Sequence, residues 1–391
     1  MATTSLPSLS SAVLEAHHSG IREVSNLALT MRDVIRLEVG QPDFRTPAHI
    51  AEAAKRAIDE GFTFYTHTQG LMSLRERLVA KLARVNGIEA TPAGIACAPG
   101  GVGAIAAAIG ALVNPGEEVL LPDPHWPNYD LMLTWSQARG LYYPCPPELD
   151  FQPDLARLEA MVTPRTKVLL VNSPNNPTGV VYPAATLAAM AEIARRRNLW
   201  IISDECYDQI MLDGSGVAGS LAHHDEDGRV ISVFTFSKTY AMTGWRLGYA
   251  VGDPAVIDSV TKVLESNSSC VSTISQKAGE AALDGPQDCV GEMVAAYVRR
   301  RELVVELLRE AGLLIAVPEG AFYVMADVSP SGLDSREFAF RLLRERHVGV
   351  APGTAFGTLA AGAVRISLAS SDQDLREGVG RLCELVAELK A

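Results

Sequence analysis

KVLLVNSPNNPTGVVYPAATLAAMAEIARRRNLWIISDE, residues 167–205, contains a complete strand, loop, helix and strand in sequence. KVLLVN (167–172) is a short apolar run, and the SPNNPTG that follows it is made of turn formers. From Pro183 to Arg197 the Ala- and Leu-rich spacing is helical, and LWIISD (199–204) is a second apolar run that ends on a carboxylate. Runs without polar alternation read as strands covered on both faces. Alternation of this kind predicts an α/β fold whose sheet is mostly parallel.

The same grammar extends outward. EEVLLP (117–122) and RVISVFTFS (229–237) read as further buried strands, and 48–60 and 74–85 as helices. After about residue 286 the character changes. A long amphipathic helix from about Val290 to Ala311 leads to AFYVMADV (321–328), the helix SREFAFRLLRERH (335–347), AVRISLAS (363–370) and a closing helix. The expected division is a large domain over 46–285 and a small α+β domain built from both chain ends, 1–45 and 286–391. A chain of 391 residues exceeds what one hydrophobic core usually serves.

Composition narrows the function classes. With 48% hydrophobic and 20% charged residues and no long polar tract, the chain reads as globular. A net charge of −12 sets the overall field against nucleic acid, so no nucleic-acid partner is expected. The six cysteines are scattered, with no CxxC and no histidine at ligand spacing, which suggests free thiols in a reducing compartment and no metal. The first residues have no apolar h-region. Glu15 and the lack of arginine before Arg22 argue against a transit peptide. The most apolar run, Ala104 to Val113, is too short to span a bilayer. A soluble cytoplasmic protein without a membrane partner is expected.

In open parallel sheets ligands bind beyond the carboxyl ends of the strands, so the residues just after each apolar run matter most. NSPNNPTG (172–179) either caps its own backbone or presents Asn176 to a ligand. In SDECYDQI (203–210), Asp204 either caps the next element or meets a cation, with the Tyr207 hydroxyl aimed at the same point. TFSKTYAMTGWRLGY (235–249) ends a strand with Thr235, Ser237 and Lys238, and Arg246 follows. A lysine there can be solvated, but among cationic and apolar neighbours it becomes a usable amine nucleophile. APGGVGAIAAAIGAL (98–112) runs glycines into a helix, which serves either close packing or an anion site on free backbone N–H groups. One ligand suits all four motifs. It has a phosphate for the glycine loop, Thr235 and Arg246, an aldehyde for Lys238, a basic ring nitrogen for Asp204, and a ring oxygen for Asn176 and Tyr207. Pyridoxal 5'-phosphate has these parts.

On NSPNNPTG, SDECYD and SKTYAMTGWRLGY, and from SGIREV and GQPDFRTP through to VRISLAS, the sequence resembles the class I pyridoxal-phosphate-dependent aminotransferases of fold type I, in the aspartate-aminotransferase-like branch. The resemblance implies a large domain with a mostly parallel sheet of the seven-stranded type, covered by helices, plus the small domain. It implies an enzyme that moves an amino group between an L-amino acid and a 2-oxo acid by a ping-pong route through Lys238. By the same resemblance Asp204 pairs with the ring nitrogen, Asn176 and Tyr207 bond the ring oxygen, and Trp126 stacks on the ring. Gly101, Val102, Gly103, Thr235 and Arg246 hold the phosphate, with Ser237 beside them. Tyr65 reaches the phosphate of a neighbouring subunit, which implies a homodimer with shared sites. Arg365 clamps the substrate carboxylate, helped by Gly40.

The sequence departs from its relatives at Val102, where those preferring dicarboxylates often carry lysine, and nothing cationic stands nearby in sequence. This shifts the expectation from aspartate toward neutral or aromatic side chains. The alternative activity is another pyridoxal-phosphate reaction at Cα, Cβ or Cγ, such as a lyase, decarboxylase or oxidative deaminase. A regulator that kept the fold is disfavoured, because about forty residues before GQPDF are too few for a winged helix. His125 is a candidate substrate contact. His17, His18, His223 and His224 are expected to be solvated, and Phe322, Tyr323 and Phe356 either to pack the small domain or, as the alternative, to contact the pocket.

Overall fold

The computed structural model describes residues 8–15 and 19–390; His17 and His18 lie outside the described residues. Seven strands form the main sheet: β2 (Ile95–Ala98), β3 (Glu118–Asp123), β4 (Arg139–Pro144), β5 (Thr166–Asn172), β6 (Trp200–Asp204), β7 (Val230–Thr235) and β8 (Gly248–Val251), preceded in the chain by the short β1 (Ile35–Arg36). Their order is β2-β8-β7-β6-β5-β3-β4, and β8 alone runs antiparallel to its neighbours. The fold is therefore α/β, with a mostly parallel seven-stranded sheet covered by helices.

Both faces of the sheet are buried, as the unalternated runs require. Leu120, Leu169, Val171 and Ile201 enter one core cluster, while Val119, Leu121, Val168, Leu170 and Ile202 enter the cluster on the opposite face. Each is fully buried, which contributes roughly 1.5–3 kcal/mol per side chain.

Two boundaries differ from expectation. The apolar run 229–237 ends as a strand at Thr235, because the Thr235 hydroxyl accepts the Ser237 N–H at 3.2 Å and starts the one-turn helix Phe236–Thr239. The single helix expected over 74–85 is α-helical only for Met72–Lys81. It then widens into a π turn over Leu82–Asn86, which Gly87 closes at φ 67°. There the Asn86 amide donates to Asp208 at 2.9 Å, and Lys81 pairs with the same carboxylate at 2.6 Å.

Four further short strands follow: β9 (Tyr323–Asp327), β10 (Val348–Gly349), β11 (Ala351–Pro352) and β12 (Ala363–Ser367). β11, β12 and β9 make a three-stranded antiparallel sheet, while β1 pairs in parallel with β10. One buried cluster joins Val24, Ala28 and Leu37 to Val304, Leu308, Phe338, Leu342, Val364 and Leu382, so early and late segments of the chain share a core. Arg300, on the helix Asp288–Glu310, ties Asp43 (2.7 Å) to Asp372 (3.3 Å) across that unit.

Candidate active site

The carboxyl ends of β3, β5, β6 and β7 open on one cavity of about 420 Å³, within the range of small-molecule sites. Asp204 is the last residue of β6 and is buried. Its carboxylate accepts the Tyr129 hydroxyl at 2.6 Å and the Cys206 N–H at 3.2 Å, both neutral donors. Burial pushes its pKa up, and the hydrogen bonds from Cys206 and Tyr129 and the charge of Lys238 oppose the shift. A buried carboxylate whose partners are all neutral is arranged to receive a cationic N–H.

Lys238 sits on the one-turn helix after β7, and its Nζ donates to the Gly40 carbonyl at 2.7 Å. Burial first, then the charges of Arg365 and Arg246, bring its pKa down to about 8, against the opposing pull of Cys206 and Asp204. An amine in that range is partly free base at neutral pH, as covalent chemistry with an aldehyde needs.

At one end of the cavity the helix Gly100–Leu112 begins behind Pro99 without a side-chain cap, so the first N–H groups are free for an anion. Gly100 has φ +76°, and a Cβ there would lie 2.5 Å from an Arg246 nitrogen, so that arginine needs a glycine beside it. Thr235 bonds Ser237 through their hydroxyls at 2.9 Å, and the Arg246 guanidinium donates to the Pro99 carbonyl at 3.1 Å, at the start of the same helix.

At the other end Arg365, on β12, is buried. It donates to the Asn176 side-chain oxygen at 2.8 Å and the Glu38 carbonyl at 2.7 Å, and it lies over the rings of Tyr323 (4.2 Å) and Phe356 (4.9 Å). Its Nε is buried without a partner among the described residues, and burial lowers its pKa. A buried guanidinium with neutral partners and an orphaned N–H is prepared for a carboxylate. Asn176 is held in turn: its N–H bonds the Asn172 side chain at 2.8 Å, and Asn172 donates to the Asp204 carbonyl at 3.0 Å. The Tyr207 and Tyr323 hydroxyls are 2.9 Å apart.

Of the residues anticipated from sequence, Gly40, Gly101, Val102, Trp126, Asn176, Asp204, Tyr207, Thr235, Ser237, Lys238, Arg246 and Arg365 all line this cavity. Two anticipated residues do not. Gly103 lies one step further into the helix, where a Cβ would strike Pro99 at 2.8 Å. Tyr65 is on the outer surface, 88% exposed. His125 is buried beside the site, bonded to Asp130 at 2.9 Å and stacked on Tyr142, and it is not part of the lining. His223 bonds the Asn86 carbonyl at 2.8 Å.

Tyr129, Asn172, Cys206 and Arg22 also line the cavity and escaped the sequence reading, and Tyr323, expected chiefly as small-domain packing, lines it too. Tyr129 lies inside the same PDPHWPNYD motif as Trp126, so a polar aromatic three residues further on was an available signal. Arg22 is a cation that lines the same cavity as Val102. It comes from the helix Gly20–Ala28, eighty positions away in sequence, and is exposed at the cavity mouth.

The sequence profile described as aminotransferase class I and II matches residues 32–382. The chain belongs to that family. It is a pyridoxal-phosphate-dependent aminotransferase of fold type I, acting on amino acid and 2-oxo acid substrates. The probable aspartate/prephenate aminotransferase of Thermus aquaticus is 38% identical over 384 residues, covering 96% of this chain and 98% of the relative. Aromatic-amino-acid aminotransferase 2 of Thermococcus litoralis is 36% identical, covering 95% and 96%. The solved aspartate aminotransferase from Thermus thermophilus with maleate superposes with a TM-score of 0.92 at 37% identity, covering 97% of this chain and all (100%) of that one. The cavity's features fit the cofactor on chemistry alone: a buried acceptor with neutral partners, an amine of lowered pKa, and an uncapped helix start with an arginine beside it.

Proposed function

We propose that Lys238 is the covalent anchor and proton carrier of the transamination, with Asp204, Asn176 and Tyr207 as the polar contacts of the cofactor ring and Arg365 as the clamp for the substrate carboxylate. The observation that carries this is that the five side chains, from four separate stretches of sequence, line a single cavity. When bound, pyridoxal phosphate supplies the electron sink that makes the substrate Cα–H acidic. Asp204 would keep the ring nitrogen protonated, which its buried, neutrally partnered carboxylate is suited to do. Arg365 and the backbone of Gly40 fix the carboxylate, and this sets the direction of the Cα–H bond. Lys238, with its amine free, would be the group placed to take and carry the substrate's Cα proton. Trp126 would cover the ring, while the start of the helix Gly100–Leu112, with Gly101 and Val102, would hold the phosphate together with Thr235, Ser237 and Arg246; Gly103, outside the cavity, drops out of that set.

Substrate choice follows from the wall opposite the clamp. Val102 is apolar and 38% exposed, so neutral or aromatic donors fit better than a strict demand for aspartate. Arg22, exposed at the mouth, meets the second carboxylate of a dicarboxylic oxo acid. The names of the relatives, aspartate/prephenate and aromatic-amino-acid aminotransferase, support both classes. The test is the absorption spectrum of the loaded enzyme with a panel of amino acids. Conversion of the cofactor band to the amine form by leucine or phenylalanine, and its return with 2-oxoglutarate, is expected. A band that never converts, or that converts with oxygen uptake, refutes transamination of that donor.

The chain acts as a homodimer with shared sites. Tyr65 and its neighbour Phe64 (81% exposed) lie outside their own cavity, on a surface a second copy would cover. Mixing Lys238→Ala subunits with Tyr65→Ala subunits in equal amounts is expected to restore about a quarter of the wild-type activity, since each hybrid dimer regains one complete site. Complementation that fails to appear refutes the sharing. The working division is a large domain over 46–285 and a small one from 1–45 and 286–391, in the cytoplasm, where six unpaired cysteines are at home.

A further inference from the structure

Tyr323 opens β9 and is 1% exposed, the position of an ordinary core aromatic. Its hydroxyl nevertheless stands 2.9 Å from the Tyr207 hydroxyl. Its ring face carries the Arg365 guanidinium at 4.2 Å. The same hydroxyl would be 2.5 Å from a Cβ on residue 40, so Gly40 packs directly against it. The Gly40 carbonyl in turn accepts Lys238 Nζ at 2.7 Å. The loop that carries Asn176 rests on this residue as well, because a Cβ on Gly179 would meet the Tyr323 carbonyl at 2.7 Å.

A phenol has one proton to donate. If Tyr207 spends its proton on the ring oxygen of the cofactor, the hydrogen bond between the two phenols must come from Tyr323. A donor whose own oxygen accepts a hydrogen bond is polarised and donates more strongly. We propose that Tyr323 is a positioning residue that sets two parts of the site at once: its hydroxyl aims and polarises the Tyr207 hydroxyl toward the ring oxygen, and its ring seats Arg365. The strand register ties these together, since Arg365 lies opposite Met325 and Ser367 opposite Tyr323 in the β12–β9 pair. This inference rests on the reading that Tyr207 meets the ring oxygen.

The test is a pH titration of the absorption band of the bound cofactor, run beside steady-state kinetics, on Tyr323→Phe, Tyr207→Phe and the double variant. Without its donor the ring oxygen holds the neighbouring proton more tightly, so the midpoint rises. Tyr207→Phe is expected to raise it most. Tyr323→Phe, which keeps the ring over Arg365, raises it by about half a pH unit and leaves KM for the amino acid within about threefold. The double variant goes no further than Tyr207→Phe, because the two hydroxyls act in series. Tyr323→Leu adds a rise in KM of about tenfold as the guanidinium loses its platform. If Tyr207→Phe shifts the midpoint while Tyr323→Phe titrates like the wild type, or the two shifts add, the inference fails. If Tyr207→Phe itself leaves the midpoint in place, the underlying reading of Tyr207 fails instead.

Discussion

The lowered pKa of Lys238 has a consequence measurable before any turnover. In the cofactor-free protein the amine titrates at about 8, against the ordinary value of 10.5. At pH 7.5 roughly a quarter of the protein then carries the free base, compared with about one molecule in a thousand for an unperturbed lysine, a gain of more than about two hundredfold in nucleophile. The second-order rate at which the cofactor-free protein takes up pyridoxal phosphate, followed by absorbance in a stopped-flow mixer, should rise with pH and level off with a midpoint near 8. The causes of the shift give the experiment a direction at each neighbour. Burial is the largest, and Arg365 pushes the same way, so Arg365→Leu is expected to move the midpoint up. Asp204 pulls the other way, so Asp204→Asn moves it down. A wild-type midpoint near 10, or shifts of the same sign in both variants, would show that the amine is not tuned by this surrounding.

Four further outcomes follow from the same geometry. Arg365→Leu should raise KM for every amino acid by at least about thirtyfold, because losing one partner of a buried charged pair costs about 2–5 kcal/mol; steady-state kinetics on a neutral and an acidic donor check this. Asp204→Asn should lower kcat by about a hundredfold or more with little change in KM, since its hydrogen bond matters most as charge develops on the ring. Arg22→Ala should lower kcat/KM for glutamate and aspartate about five- to tenfold and leave phenylalanine unchanged, and Val102→Lys should favour the acidic donors; equal effects on both donor classes would remove Arg22 and Val102 from specificity. Lys81→Met should destabilise the fold by about 3–5 kcal/mol in a denaturant titration, because it leaves Asp208 charged and unpaired in the interior.

What the sequence revealed depended on whether a feature is local. β3, β5, β6 and β7 were legible because a strand buried on both faces must be apolar at every position, and Leu169 and Leu170 face opposite cores. Asp204, Asn176 and Lys238 were legible for the complementary reason: Asp204 ends an apolar run, and Asn176 and Lys238 stand just beyond one, where a parallel sheet gathers its ligands. β8 was not legible. GYAV is too short to separate from the loop before it, and it runs antiparallel because Gly248 pairs with Thr235 after a short connection from β7 that carries only one-turn helices and no crossover helix. The start of the helix Phe236–Thr239 was hidden because a threonine hydroxyl, not a proline or glycine, turns the chain.

Arg22, which the sequence reading passed over, and Tyr323, which it read chiefly as packing, are the instructive cases, and both have the same cause. Each belongs to a segment that reads as packing: an amphipathic helix with Val24 and Ala28 on its buried face, and a strand of buried apolar residues. Only when the early and late parts of the chain close on one core do the exposed edge of that helix and the first side chain of that strand reach the mouth and wall of the cavity. Motifs around Lys238 carry the chemistry common to every substrate, and they are compact because the cofactor is small. The contacts that distinguish one substrate from another lie farther out, where residues from distant segments meet. On the proposed reading substrate preference rests on long-range contacts, and the Arg22 and Val102 variants address it more directly than any change at the lysine.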